Sequence, residues 1–165
     1  MSLEVLWPLG LTALLLIGAI SDIRARRLPN WLALALLVYG LAHGFMLDGL
    51  SGLGWHAAHS AVALLVGMGL FAIGAFGGGD AKFYAGMAAY FPLQSGINLL
   101  LWVTLLGGLF ILIWMVGRRV PVGTRAKEQS GLKGKFPYGV AITSGGIGAA
   151  WTAVMLAPAL PGMQL

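Results

Sequence analysis

Two aspartates carry most of the chemistry open to this sequence. Asp80 stands in Phe76-Gly77-Gly78-Gly79-Asp80-Ala81-Lys82, between two long apolar stretches, and Asp22 ends an earlier apolar run in the same way. The chain has only five acids in 165 residues. Ionised groups at membrane depth are costly and are kept where they have a task. Two carboxyls sharing one site cannot both ionise cheaply; one keeps its proton, the other stays charged, and the pair titrates as a unit. Such a pair activates water with one member and protonates a carbonyl with the other, which is aspartic-protease chemistry and needs neither metal nor cofactor. Each acid also has a plainer reading. Asp22 fits a helix-end residue that caps the helix or pairs with Arg24 or Arg26, and Asp80 fits the N-cap of a following helix. Either acid alone suits the plainer reading. The pair at one depth, with three glycines before one member, suits both.

The elements that must position these acids are set by composition. The chain is 59% hydrophobic and only 9% charged, against about 25% charge in soluble domains, and its mean hydropathy is +0.89. It reads as an integral membrane protein forming one helical domain over residues 1–165. The absence of cysteine excludes disulfides, thiolate metal sites and cysteine nucleophiles. The net charge of +5 suits membrane topology better than nucleic-acid binding. The first apolar run lacks a basic leader and ends in Asp22 and three arginines, so it reads as a retained span rather than a cleaved signal.

Apolar segments of near-spanning length run over Leu3–Ile20, Trp31–Leu47, Ala57–Phe76, Ile97–Val116 and Tyr138–Leu156, with a shorter one over Ala81–Phe91. The expected architecture is therefore all-α and polytopic, with about six transmembrane helices and a short fourth helix after a Gly-rich loop. All ten basic residues fall in Arg24–Arg27, at Lys82 and in Arg118–Lys135. Six crossings put every one of them on one face. The positive-inside rule makes that face cytoplasmic and both termini external. Asp22 and Asp80 then share the cytoplasmic side at similar depth.

Other residues read more plainly. Gly77, Gly78 and Gly79 suit a loop that needs positive φ or close backbone approach. Lys82 reads as a snorkelling, topology-setting lysine beside the site. Pro137 and Tyr138 open the last helix, with Tyr138 placed to line a cleft. His56 and His59 have a ligand-like spacing but lie away from the acids, and they read as interfacial, as His43 does if it is not packed. The Arg118–Lys135 loop suits attraction to anionic lipid.

Three segments carry a family resemblance. Gly77-Gly78-Gly79-Asp80-Ala81-Lys82 resembles the GxGD-x-K signature of type IV prepilin peptidases. Asp22-Ile23-Arg24-Ala25-Arg26-Arg27-Leu28-Pro29-Asn30 resembles that family's first-aspartate motif, and Phe136-Pro137-Tyr138-Gly139-Val140-Ala141-Ile142 its later Pro-Tyr-Gly-x-Ala-Ile motif. The resemblance implies that Asp22 and Asp80 are the catalytic pair. By the same resemblance Gly77, Gly78, Gly79, Lys82, Pro137 and Tyr138 shape the site, and no metal or cofactor takes part. It further implies an inner-membrane endopeptidase that removes the leader of a prepilin at the cytoplasmic face, with pilus-assembly proteins as further partners. The chain resembles the short, peptidase-only form of tight-adherence (Flp-type) systems. On that resemblance, no amino-terminal cysteine-rich zinc and methyltransferase extension is expected. The competing reading is a small proton-coupled transporter with Asp22 and Asp80 as its relay. The glycines are expected to let the Gly77–Asp80 segment hinge, with the two acids apart until substrate draws them together.

Overall fold

The computed structural model describes residues 3–119 and 138–156. Every regular element among them is helical: α1 (Leu3–Ala25), α2 (Asn30–Ala72), α3 (Gly78–Ala88), a 3₁₀ turn (Leu93–Ser95), α4 (Gly96–Arg119) and α5 (Tyr138–Leu156). Their apolar residues are not confined to one stripe. Leu6, Leu16 and Ile20 of α1 and Leu100, Leu105 and Leu112 of α4 all face outward. A helix that is apolar all round belongs in a hydrocarbon environment. The segments Val5–Ala25, Asn30–Ala72, Leu93–Ile113 and Tyr138–Leu156 are long and apolar enough to cross a bilayer. The chain is a multi-pass membrane protein.

α2 is two helices, not one. A straight helix of 43 residues would reach about 65 Å, and it would hold residues 43 and 56 about 20 Å apart. Instead the rings of His43 and His56 lie 5.9 Å apart. The chain reverses at Asp48 and Gly49, whose backbone leaves the helical region, with Gly49 at φ 58. Glycine tolerates that conformation without a Cβ clash. The arms, residues 30–47 and 50–72, lie side by side, and Gly52 sits directly against the Gly44 carbonyl.

α3 lies in this hairpin, and its most extensive packing is with α2. Small residues let the backbones meet. A Cβ at Gly40 would reach 2.5 Å from Tyr90 N, one at Gly86 would reach 2.5 Å from the Ala33 carbonyl, and one at Gly67 would reach 2.9 Å from the Ala81 Cβ. With 11 residues, α3 is about 16 Å long, about half the hydrocarbon thickness. Its start differs from the sequence expectation. Gly78 and Gly79 are the first helical residues rather than a loop, and the positive-φ glycines among the described residues are Gly49 and Gly74. The expectation for the histidines fails as well. His56 and His59 are 3% and 4% exposed, because the face of α2 that carries them turns toward α3 instead of toward an interface. His43 is packed, stacked on Tyr90 at 4.1 Å.

The remaining helices form a second group in which α5 packs on both α1 and α4. Direct packing of α1 on α2 and of α3 on α5 is sparser. Large side chains of α3 key the two groups together: Phe83 sits against Gly18 of α1, and Met87 against Gly146 of α5 and near Leu15 of α1. Phe83, Met87, Leu11, Leu15, Leu32 and Leu36 are fully buried at this junction.

The reversal of α2 makes one residue sterically critical. Gly52→Leu must push against the Gly44 backbone, whereas a side chain at Gly54 meets nothing within 4 Å. Overpacking of this kind costs about 1–3 kcal/mol. Gly52→Leu is therefore expected to lower the thermal unfolding midpoint in detergent by several degrees, and Gly54→Leu to leave it unchanged.

Candidate active site

Asp22 belongs to the core-facing side of α1, where Leu11, Leu15, Gly18 and Asp22 recur at helical spacing. It is 6% exposed. Its Oδ2 accepts a hydrogen bond of 2.8 Å from the backbone N–H of Gly139. That N–H lies in the first turn of α5, where backbone donors lack helical partners and the helix dipole favours a negative group. A Cβ at Gly139 would come within 2.8 Å of the Asp22 carboxylate oxygen and 3.0 Å of the Asp22 Cβ. Only glycine lets α5 approach the acid this closely. Arg26 lies within electrostatic range of Asp22.

Asp80 is the third residue of α3, and Gly77, in extended conformation, precedes the helix as its N-cap. Asp80 is therefore not the N-cap itself. Its carboxylate reaches back to the Gly77 backbone N–H, the geometry of the acidic half of a capping box. A side chain at Gly77 would run directly into Asp80 Oδ2. The Asp80 carboxyl is half-buried, and the charge of Asp22 lies within electrostatic range of it. The two acids are thus electrostatic neighbours. Among the described residues, no hydrogen bond joins one carboxyl to the other.

Packing explains why two acids so distant in sequence arrive at the same depth. α1 presents Asp22, Gly18 and Leu15, and α3 presents Asp80, Phe83 and Met87. The spacings mirror each other, so the two helices run antiparallel with the acids at one end. One turn below the acids the Phe83 ring fills the space left by Gly18, and two turns below Met87 packs near Leu15. At the same end, the rings of Phe76 and Tyr138 meet edge to face at 5.7 Å. These residues directly precede Gly77 and Gly139, so the aromatic pair ties together the two backbone donors that serve the acids.

The other residues singled out by sequence take different places. Lys82 is two residues beyond Asp80, on the far side of α3. It is exposed and donates to Asn30 Oδ1 at 3.4 Å. Gly78 and Gly79 have room for a methyl group, with nearest atoms at 3.4 Å and 3.8 Å. Gly77 alone of the three therefore meets a tight steric requirement. Pro137 and the Arg118–Lys135 loop, apart from Arg118 and Arg119, lie outside the described residues. Sequence reasoning missed the roles of Gly139, Gly18 and Phe83. The mirrored spacing of small and large residues on α1 and α3 was the available signal, but it has meaning only once the two helices are known to be antiparallel.

With each acid held by one backbone N–H and Phe83 packed one turn below, the arrangement brings two carboxyls from separate helices within electrostatic range of each other. Among the described residues, no group of three His, Asp or Glu side chains is arranged to hold a metal ion. Comparison with known proteins adds one positive finding: the model of the type IV leader peptidase family matches residues 9–112, a stretch that includes both acids. Searches among curated proteins and among solved structures found no match.

The hydrogen bond from Gly77 gives a testable sign. Gly77→Ala displaces the Asp80 carboxyl from its donor, which removes the influence that favours the charged form. The titration of Asp80 is then expected to move to higher pH. Gly79→Ala, with its nearest neighbour at 3.8 Å, is expected to leave it unchanged. Infrared difference spectra of the protonated carboxyl band, identified by its loss in Asp80→Asn, measure both.

Proposed function

We propose that this chain, which belongs to the type IV leader peptidase family, is an aspartic endopeptidase of the inner membrane that removes the leader of Flp-like prepilins with Asp22 and Asp80 as its catalytic dyad. Family membership makes it a leader peptidase. The observation that carries the finer reading is the approach of two acids from separate helices, Asp22 at 6% exposure and Asp80 within electrostatic range of it. A protonated carboxyl beside an ionised one is the arrangement that aspartic peptide hydrolysis requires.

The chemistry follows from that arrangement. The ionised member takes a proton from water as the water oxygen attacks the scissile carbonyl carbon. The protonated member gives its proton to the carbonyl oxygen, and a tetrahedral diol forms without a free oxyanion. Collapse of the diol breaks the C–N bond. The leaving amine takes the proton of one carboxyl, the other carboxyl takes the proton of a diol hydroxyl as the carbonyl reforms, and one shared proton remains for the next cycle. The small space around Gly77, Gly78 and Gly79 suits an extended peptide segment approaching Asp80 closely. Tyr138, exposed at the same end, is placed to contact it.

The orientation rests on charge. Arg24, Arg26, Arg27 and Lys82 cluster at the end of the bundle that holds the acids, and Asp48 lies at the reversal of α2. With the two arms of α2 and short α3 each counted as a crossing, six crossings place every basic residue in the cytoplasm. The leader then meets the dyad at the cytoplasmic surface while the apolar helix of the substrate stays in the bilayer.

Asp22→Asn and Asp80→Asn are each expected to lower cleavage of a prepilin by on the order of 10³-fold or more, because the dyad acts as a unit. Expression and unfolding midpoint should hold. Activity within about tenfold of the parent protein in either variant would remove that residue from the chemistry. EDTA is expected to leave the rate unchanged. The reaction needs one carboxyl of the dyad protonated, so kcat/KM should fall at high pH, about tenfold per pH unit once the dyad has lost its shared proton.

A further inference from the structure

The end of α3 opposite Asp80 poses a problem. A helix leaves its last four carbonyls without helical partners, and at membrane depth no bulk water is present to satisfy them. α3 ends among buried residues, with Ala88 and Ala89 at 0% exposure and Tyr90 and Phe91 nearly so. The last-turn carbonyls of Ala85, Met87 and Ala88 accept from the N–H groups of Ala89, Tyr90 and Phe91, and the carbonyls of the residues that continue from the helix, Ala89, Tyr90 and Phe91, are met by side chains of α2. His56 Nδ1 lies 2.8 Å from the Ala89 carbonyl, His43 Nδ1 lies 3.3 Å from that of Tyr90, and His59 Nδ1 lies 3.0 Å from that of Phe91. One turn earlier, Ser60 donates to the Ala85 carbonyl at 2.8 Å. Three histidines thus serve three successive carbonyls.

A carbonyl oxygen only accepts, so in each contact the histidine must donate from Nδ1. The rings are fixed in place. His43 lies between Tyr90, stacked at 4.1 Å, and Trp7 at 5.2 Å. His56 occupies the space that Gly44 leaves, where a Cβ would lie 2.5 Å from the ring. This set of contacts locks the register of α3 along the axis of the hairpin. The opposite end carries exposed Lys82 and half-buried Asp80, both drawn toward water.

We propose that His43, His56, His59 and Ser60 are positioning residues for the catalytic site: by holding the carbonyl end of α3 they fix the depth of Asp80 and hence its alignment with Asp22. The proposal rests on the peptidase reading given above. None of the four side chains contacts either acid. They act through α3, a rigid rod of 11 residues with the clamp at one end and a catalytic carboxyl at the other. Without the clamp, α3 slides toward the cytoplasmic surface. Asp80 then gains water and moves away from the charge of Asp22.

The test uses the full chain in lipid nanodiscs with two readouts: prepilin cleavage, and titration of the Asp80 carboxyl by infrared spectroscopy without substrate. His56→Leu and His59→Leu remove the donor, whereas His56→Asn and His59→Asn keep an N–H near the position of Nδ1. The leucine variants are expected to lower kcat by about tenfold or more with KM within about twofold, because a misplaced catalytic group costs turnover more than binding. In both, the Asp80 titration should move to lower pH, and the asparagine variants should restore both readouts. Ser60→Ala, a deletion of one hydroxyl, should show the same changes to a smaller extent, and it carries the test if a leucine variant fails to fold. An unmoved Asp80 titration in the folded variants would overturn the proposal whatever the activity. So would equal losses in the leucine and asparagine variants. A shifted titration with a parent chain that cleaves no prepilin would instead overturn the peptidase reading and leave the clamp standing.

Discussion

The structure depends on a gap in α1. Gly18 removes the side chain that would hold α3 away, and the Phe83 ring occupies the vacated space. That contact sets the distance and the register between the two groups of helices, and it lies one turn below both acids. Everything above it follows: Asp22 and Asp80 meet because the helices carrying them are pinned just beneath. A buried aromatic ring there also closes the floor of the site to the hydrocarbon side.

The two acids are held by similar means from unrelated elements. Gly139 offers Asp22 an N–H from the start of α5, and Gly77 offers Asp80 one from the start of α3. In both cases the donor residue must be glycine because a side chain would strike the carboxylate it serves. Helix N-termini supply donors at no side-chain cost, which suits a bilayer where each additional polar group needs its own partner. The Phe76–Tyr138 pair joins these two N-termini.

Much of this was legible before any coordinates. Hydropathy gave the helical, membrane-embedded class, and the rarity of acids in such a chain singled out Asp22 and Asp80, which the fold brings within electrostatic range of each other. The reversal at Asp48–Gly49 agrees with the break expected between the second and third apolar segments, although the second arm begins well before Ala57. The histidines misled because their surroundings are created by α3, which periodicity along α2 alone does not reveal. The glycines before Asp80 misled for a related reason. A Gly run signals conformational freedom, yet two of the three are helical and the third is small for the sake of a carboxylate. Residues whose size or polarity answers a partner elsewhere in the chain remain hidden until the partner is placed.

The central claim is that Asp22 and Asp80 adjoin across the junction between the two helix groups. The chain contains no cysteine, so a pair can be introduced without background. Gly67 and Ala81, whose Cβ positions nearly touch, provide a control pair within one group. Asp22→Cys/Asp80→Cys in native membranes, treated with a short thiol-to-thiol cross-linker and then cut between residues 22 and 80, is expected to yield covalently joined fragments. Gly67→Cys/Ala81→Cys, treated in the same way and cut between those positions, shows that the reagent and the cleavage work. Efficient cross-linking of the control with none between positions 22 and 80 would contradict the account.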